Sequence, residues 1–401
     1  MTERRENDPG SPHLHPEARE LNDAIGPKGP TLRLVGGCVR DHLMGRKPKD
    51  HDLCTDAPPD VVTELSRKAG FKVIPTGLAH GTVTVVVKGV PLEVTTLRAD
   101  LECDGRHAVV QFTDDWKIDA ERRDLTINAM SMDFDGRLHD HFGGRSDVAG
   151  RIVRFVGDPD RRIIEDHLRI LRFYRFAGKF PETGEPVRMD RDGLDATERR
   201  REGLRKISVE RVWMEIKATL ATPTGCDRLA DMDDRGIAGI IGLTVRDPEA
   251  AAKAAGAGAD PVAVLSTQLK NRIEAEALAD RWKMSVEERK TLAWHAGIAN
   301  AIDEKRLKIA LSEGIERKRI LDAARIAGID HVPFETIEIP SFPVNGERMK
   351  KLGWKEGPEM GKALRTLRER WIESDFSADA KTLIESLDEK KAESARRVRE
   401  R

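Results

Sequence analysis

The sequence predicts an α+β head, residues 29–157, followed by an all-helical remainder, and three observations carry that expectation. Between Leu32 and Thr96, β-branched extended runs alternate with turns and short helical stretches, the texture of helices packed on one sheet. Beyond Asp158 the extended runs almost vanish and apolar residues recur at helical spacing. The chain has 401 residues, enough for two or more domains at roughly 100–200 residues each.

Taken in order, residues 1–28 begin with Arg4, Arg5, Glu6, Asp8, Pro9 and Gly10 and lack the apolar stretch of a secretory signal, so they read as a flexible tail. Leu32-Arg33-Leu34-Val35 is a strand that stops at Gly36-Gly37, where a turn leads into a short helix carrying Arg40. Residues 58–70 place Val61, Val62, Leu65 and Ala69 at helical spacing. The runs 82–87 and 90–96, separated by Lys88-Gly89, form a hairpin. Helices follow at about 161–178, 208–221, 261–281, 286–300, 303–313, 316–327 and 359–373. Ser208 can cap the helix that starts with Val209-Glu210. Ala and Gly crowd residues 249–258, which read as a loose connection between helical subdomains. The helical part divides into residues 158–225 and a body and tail, 226–401.

Lys and Arg total 69 against 70 Asp and Glu, so net charge does not announce a polyanionic partner and local basic clusters must serve. Arg188, Arg191, Arg199, Arg200, Arg201, Arg205, Lys206 and Arg211 form one, a phosphate track or, given Glu198, Glu202 and Glu210 among them, a solvated face. No run approaches the ~18 apolar residues of a membrane-spanning helix. Cys38, Cys54, Cys103 and Cys226 contain no CxxC pair, which argues against a disulfide framework or structural zinc and for a reducing cytoplasm.

Three constellations point to chemistry. Gly36 and Gly37 free backbone N–H groups, Arg40 follows, and Asp50 and Asp52 alternate along an extended segment so that both face one side and can hold one hard cation. Glycines, arginine and a metal pair so close together suit a nucleoside triphosphate. Two aspartates alone rarely suffice for a two-metal site, and Glu93, a charge in an otherwise apolar and threonine-rich strand, is the candidate third carboxylate. A surface turn and an outward edge residue are the plain alternatives. Next, Arg122 and Arg123 offer a fork to a triphosphate, and Asp124 and Asn128, at i and i+4 on a helix start, suit capping and a ribose hydroxyl. A capped basic surface helix reads equally well. Last, Asp166, Arg169, Arg172 and Arg175 recur every three residues on one side of a helix, with Leu168, Leu171 and Tyr174 beside them. An Asp and an Arg one turn apart can read a base's Watson–Crick edge, or merely salt-bridge an amphipathic helix.

These pieces, Gly-Gly-x-Val-Arg-Asp with Asp-x-Asp, then Glu-Val-Thr-Thr-Leu-Arg, Arg-Arg-Asp-Leu-Thr-Ile-Asn-Ala and Glu-Asp-x-Leu-Arg-Ile-Leu-Arg, resemble the class II tRNA nucleotidyltransferase and poly(A) polymerase family over residues 32–180. The resemblance implies a polymerase-β-like head with a helical neck, body and tail. It implies that Asp50 and Asp52 bind Mg2+, that Gly37, Arg40, Arg123, Arg172 and Arg175 touch the triphosphate, and that Asp166 and Arg169 select CTP and ATP. Asp100, then Asp104-Gly105-Arg106-His107, resembles the flexible-loop element of CCA-adding enzymes, which extend the 3′ end of tRNA without a template. The Arg-Arg-Phe-Arg cluster typical of bacterial poly(A) polymerases is missing before the hairpin. A poly(A) polymerase, an enzyme adding only CC or only A, and a silent RNA-binding protein are the rival readings. His167 departs from the small residue or proline usual there, and His295 and His331 are most simply structural. Residues 352–362 resemble a tail element of long-bodied CCA enzymes, with Pro358 at a helix start where a tRNA phosphate can bind or the turn simply packs.

Overall fold

The computed structural model describes residues 16–48, 51–75, 77–78, 81–103, 108–180, 187–298 and 302–387. They form two compact units, one reaching Val245 and one beginning at Arg246.

The first unit is organised by a mixed sheet. Its strands are β1 (Leu32–Val35), β2 (Leu53–Thr55), β3 (Lys72–Ile74), β4 (Thr82–Val87) and β5 (Val90–Thr96). A separate ribbon pairs β6 (Arg98–Cys103) with β7 (Ala108–Phe112), after which β8 (Met130–Met132) and β9 (Leu138–Asp140) complete the sheet in the order β3-β4-β5-β2-β1-β8-β9. Only β2 and β5 run parallel within it. The hairpin β4–β5 turns at Lys88 and Gly89 with φ of 49° and 86°, the left-handed pair that matches strand twist. Period-2 alternation turns Val83, Val85, Val87, Leu92 and Val94 to a buried face and Glu93, opposite Thr84, to the other.

The expected tail, residues 1–28, needs correcting from Pro16 onward. Pro16–Ile25 is a helix whose Ala18, Leu21 and Ile25 have no exposure, packed on the helix Pro59–Lys68 and on β4. Three apolar residues at i, i+3 and i+7 suffice for one buried stripe, although charged residues between them disguise it. Arg19 also donates to the Phe134 carbonyl at 2.7 Å.

Beyond Asp158 the expected helix 161–178 is two helices, Pro159–Glu165 and Leu168–Lys179, broken where Asp166 takes extended backbone, φ −154° and ψ 106°. Leu168, Leu171, Phe173 and Tyr174 face inward, with Phe173 stacked on Phe155 at 4.9 Å. His167 turns its ring into space left by Gly203, where a Cβ would stand 1.7 Å from the imidazole. The helix Val209–Leu220 packs beside Leu168–Lys179, and Ser208 occupies its cap position without making a side-chain cap bond. Gly225–Asp234 and Ile237–Ile240, assigned from sequence to the body, fall within this first unit.

Among the described residues of the second unit the regular elements are all helices, joined by turns and by an irregular stretch at 337–345. Residues 249–258, expected as a loose connection, lie largely in the helix Pro248–Gly256. Asp247 caps it through the Ala250 N–H, and alanine has the highest helix propensity, so composition that looks like linker is a good helix. The expected helix 261–281 is divided into Pro261–Ser266 and Arg272–Arg281. Fully buried Gln268 explains the break, because its amide satisfies the N–H of Arg246 and of Asp247 and donates to the Asp247 carbonyl. Trp371, Leu367, Met349, Phe376 and Leu383 form one core cluster, and Leu307, Ile320 and Phe334 belong to another.

His295, expected as structural, is 1% exposed, and neither ring nitrogen has a hydrogen-bond partner among the described residues. Burial, reinforced by the charge of Arg319, lowers its pKa to about 3. The folded state therefore keeps it neutral while an unfolded histidine takes a proton below about 6.5. Stability is accordingly expected to fall by roughly 1.4 kcal/mol per pH unit once pH drops below about 6.5, or about 2 kcal/mol by pH 5. Urea unfolding of the wild type and His295→Leu between pH 7 and 5 checks this; equal slopes for the two would remove His295 as the cause.

Candidate active site

The sheet topology assembles the site at the carboxyl end of β1. Because β2 and β8 both run antiparallel to β1, their starts lie beside its end: the Val35 N–H donates to the Asp52 carbonyl at 3.0 Å, and the Gly36 N–H to that of Met130 at 3.1 Å. The parallel register of β2 and β5 sets Leu53 beside Val94, so Asp52 and Glu93 occupy neighbouring positions one step earlier. Both are exposed, on the sheet face opposite the one that buries Leu53 and Val94. Asp50 lies outside the described residues, as do Asp104 and Arg106 between β6 and β7. Among the described residues no cluster of three or more acidic, His or Cys side chains is arranged to hold a metal. The described part of the expected ligand set is thus the pair Asp52 and Glu93, hard oxygen donors of the kind a divalent cation takes.

Gly36 has φ 72°, a conformation that favours glycine, and a Cβ there would stand 3.0 Å from a terminal nitrogen of Arg123. The chain then enters the helix Gly37–Leu43. Arg40 is only 3% exposed; its Nε and Nη2 donate to Asp41 Oδ1 at 3.0 and 2.7 Å, and its Nη1 to Asn128 Oδ1 at 2.6 Å.

Residues 122–129 depart from expectation. Asp124 and Asn128 do not start an α-helix; Thr126–Asn128 is one 3-10 turn leading into β8. The two side chains still meet, Asn128 Nδ2 donating to Asp124 Oδ1 at 3.3 Å, while Asp124 Oδ2 accepts from Arg172 Nε at 2.7 Å. A continuous chain therefore runs Arg40–Asn128–Asp124–Arg172. Burial pushes the Asp124 carboxyl up, but the Arg172 guanidinium and the hydrogen bonds of Asn128 and the Leu125 N–H outweigh it and hold the pKa below the usual range. Arg122 and Arg123 do not form a free fork, for both bind buried Asp119, at 2.7 and 3.0 Å. Arg123 also approaches the Cys54 sulfur at 3.6 Å. Burial pushes the Cys54 thiol up to about 12 and the Cys38 thiol up to about 11, so neither is a nucleophile at neutral pH.

The last constellation is partly rearranged. Arg169, Arg172 and Arg175 share one helix, but Asp166 sits in the break before it, accepting from the Leu168 N–H at 3.0 Å and from Arg211 Nη2 at 2.7 Å. Arg169 binds Glu165 Oε2 at 2.7 Å and the Arg122 carbonyl at 3.2 Å rather than Asp166. Arg175 donates through Nε to Glu215 Oε2 at 2.6 Å. Buried Arg162 joins the two segments by donating to the carbonyls of Arg122 and Arg123 and to Glu165. Sequence reasoning gave no site role to Asp41, Asp119, Arg162, Glu165 or Glu215, and placed Arg211 in the basic cluster rather than on Asp166. Asp41 adjoins Arg40 and Glu165 stands one turn before Arg169, which were readable signals; nothing in local spacing ties Arg211 to Asp166 or Glu215 to Arg175.

Gly37, Arg40, Asp41, Asp52, Arg46, Lys47, Arg175 and Lys179 line one cleft of about 720 Å³, together with Ala218, Ala221 and Pro223. Cationic nitrogens and two carboxylates, Asp41 and Asp52, line the same cavity, a set of groups that can pair with a polyanion and offer oxygen donors to a metal.

Comparison with known proteins agrees with this chemistry. Residues 32–154 match the family model of the poly(A) polymerase head domain. The mitochondrial CCA tRNA nucleotidyltransferase 1 of Danio rerio is 36% identical over 375 residues, 89% of this chain and 86% of that protein. Its Homo sapiens counterpart is 35% identical over 391 residues, covering 91% of this chain and 88% of its own. The Bacillus stearothermophilus CCA-adding enzyme, in a crystal structure with CTP, superposes with a TM-score of 0.71 at 26% identity, over 95% of this chain and 100% of that one.

Proposed function

The chain belongs to the CCA tRNA nucleotidyltransferase family, and we propose that it uses this cleft to add C, C and A in turn to the 3′ end of tRNA from CTP and ATP. The observation that carries the reading is the bonded chain Arg40–Asn128–Asp124–Arg172, which braces two cationic side chains, with Arg40 lining the cavity onto which Asp52 opens.

In this reading the 3′-hydroxyl oxygen of the RNA gives up its proton to solvent and forms a bond to the α-phosphorus as the bond to pyrophosphate breaks. Arg172 and Arg175 are anchored through Nε on Asp124 and Glu215, which leaves their terminal nitrogens to bind the triphosphate, together with Arg40. Gly36 and Gly37 let phosphate approach the backbone without a side chain between them. Arg123 lies against Gly36 and braces that turn while adding positive charge. Asp166 and Arg169 supply an acceptor and donors that suit the amino group and ring nitrogen shared by cytosine and adenine; uracil and guanine present the opposite order. Enzymes of this family use a divalent metal ion. Magnesium is the proposed ion, held by Asp52, Asp50 and Glu93, and when bound it neutralises charge on the attacking and leaving oxygens.

Incubating the protein with Mg2+, CTP, ATP and tRNA lacking its last three nucleotides, then sequencing the 3′ ends, tests the proposal. Complete CCA is the expected product. An adenosine run, CC alone, or A added only to tRNA ending in CC would reassign the activity to one of the rival enzymes, and no product at all would overturn it. Among the described residues no helix is long and apolar enough to cross a membrane. Cys38, Cys54 and Cys226 are unpaired, which supports a reducing compartment, and the cytoplasm is the proposed one.

A further inference from the structure

Phe176 belongs to none of the constellations above, yet it stands among their arginines. It lies on the helix Leu168–Lys179 and is 7% exposed. Three guanidinium carbons lie over its ring: that of Arg175 at 4.4 Å from the centroid, Arg40 at 5.2 Å and Arg172 at 5.5 Å. Arg172 and Arg175 come from its own helix, whereas Arg40 comes from the helix that follows the Gly-Gly turn.

Three like charges gathered on one ring repel one another. Each is paired through Nε with one carboxylate, Asp41, Asp124 or Glu215, at 3.0, 2.7 and 2.6 Å. Such pairing offsets the repulsion and fixes one edge of the Arg172 and Arg175 forks, whereas Arg40 is held at Nη2 by Asp41 and at Nη1 by Asn128 as well. An aromatic face attracts a guanidinium from above its plane without taking any N–H donor. The ring can therefore collect the three side chains while the terminal nitrogens of Arg172 and Arg175 stay available to another acceptor. A leucine keeps an apolar side chain there, three carbons smaller, and supplies none of this attraction.

We propose that Phe176 is a positioning residue for the triphosphate, its ring face holding Arg40, Arg172 and Arg175 as one cradle for the phosphate oxygens. This rests on reading those arginines as triphosphate ligands, and the test separates the two claims.

Phe176→Leu is expected to raise KM for CTP and ATP alike by about tenfold. It should weaken product inhibition by inorganic pyrophosphate by a similar factor, with the CTP-over-UTP preference and tRNA binding unchanged. Replacing Phe176 by phenylalanines carrying one, two and three ring fluorines keeps the packing while draining the ring face, so pyrophosphate inhibition should weaken stepwise. Arg175→Gln reads the underlying assignment and should also weaken it. If Arg175→Gln does so while Phe176→Leu and the fluorinated series match wild type, the role of Phe176 is overturned and the arginine assignment stands. If Arg175→Gln too leaves pyrophosphate inhibition unchanged, the cradle itself falls and Phe176 with it. A Phe176→Leu protein that loses CTP-over-UTP preference along with thermal stability, while fluorination changes nothing, would assign the ring to packing alone and overturn the proposal.

Discussion

Asp52→Ala is expected to slow CTP incorporation by at least roughly a thousandfold while tRNA binding stays within about twofold of wild type. Carboxylate-held metal contributes several kcal/mol to charge stabilisation at the reacting oxygens, and each 1.36 kcal/mol is a factor of ten in rate. The main chain of Asp52 is held by the Val35 N–H, and its side chain is on the exposed face, so truncation leaves the β1–β2 pairing in place. A fold defect is therefore not the expected cause of lost activity. Single-turnover incorporation and filter binding measured on the same preparation decide it. A rate near wild type would remove Asp52 from the metal site, and a parallel loss of tRNA binding would point to unfolding instead.

Asp166→Ala is expected to cut discrimination of CTP against UTP by about a hundredfold, with a much smaller rise in KM for CTP. A polar group built to meet a base edge discriminates through the cost of mispaired donors and acceptors, roughly 1–3 kcal/mol each. The geometry suits that part: the extended backbone at Asp166 breaks the helix, and bonds from the Leu168 N–H and Arg211 hold the carboxylate in one orientation. Alanine keeps an allowed backbone there, so a change in selectivity reports the carboxylate itself. Competition between CTP and UTP in one reaction gives the ratio directly, and an unchanged ratio would count Asp166 out as a base reader.

The parts of the architecture that were legible are those written in short periods. The alternation Val83, Val85, Val87 against Thr82 and Thr84, with a left-handed Lys88-Gly89 turn, specifies a hairpin and its buried face. Most of the helices after Asp158 likewise follow from a recurrence of three or four residues. Misreadings arose where one tertiary contact outweighs local texture. The stripe Ala18, Leu21 and Ile25 looks too polar for a core helix until a partner surface covers it, and Gln268 interrupts an apolar run because its amide has to satisfy the backbone near Arg246.

The candidate site divides in the same way. The residue types were all present in order along the chain, and their charges and hydrogen-bonding capacity follow from identity alone, so sequence by itself determined the family resemblance and the class of ligand. Which arginine meets which distant acceptor was decided only by the tertiary structure. Arg40 reaches Asn128 across 88 positions, Arg172 reaches Asp124 across 48, Arg211 reaches Asp166 across 45 and Arg175 reaches Glu215 across 40. Periodicity carries information over one helical turn or one strand neighbour. Pairings at those separations depend on how the sheet end and the two helices pack, and a buried charge takes whichever partner that packing brings within hydrogen-bonding distance.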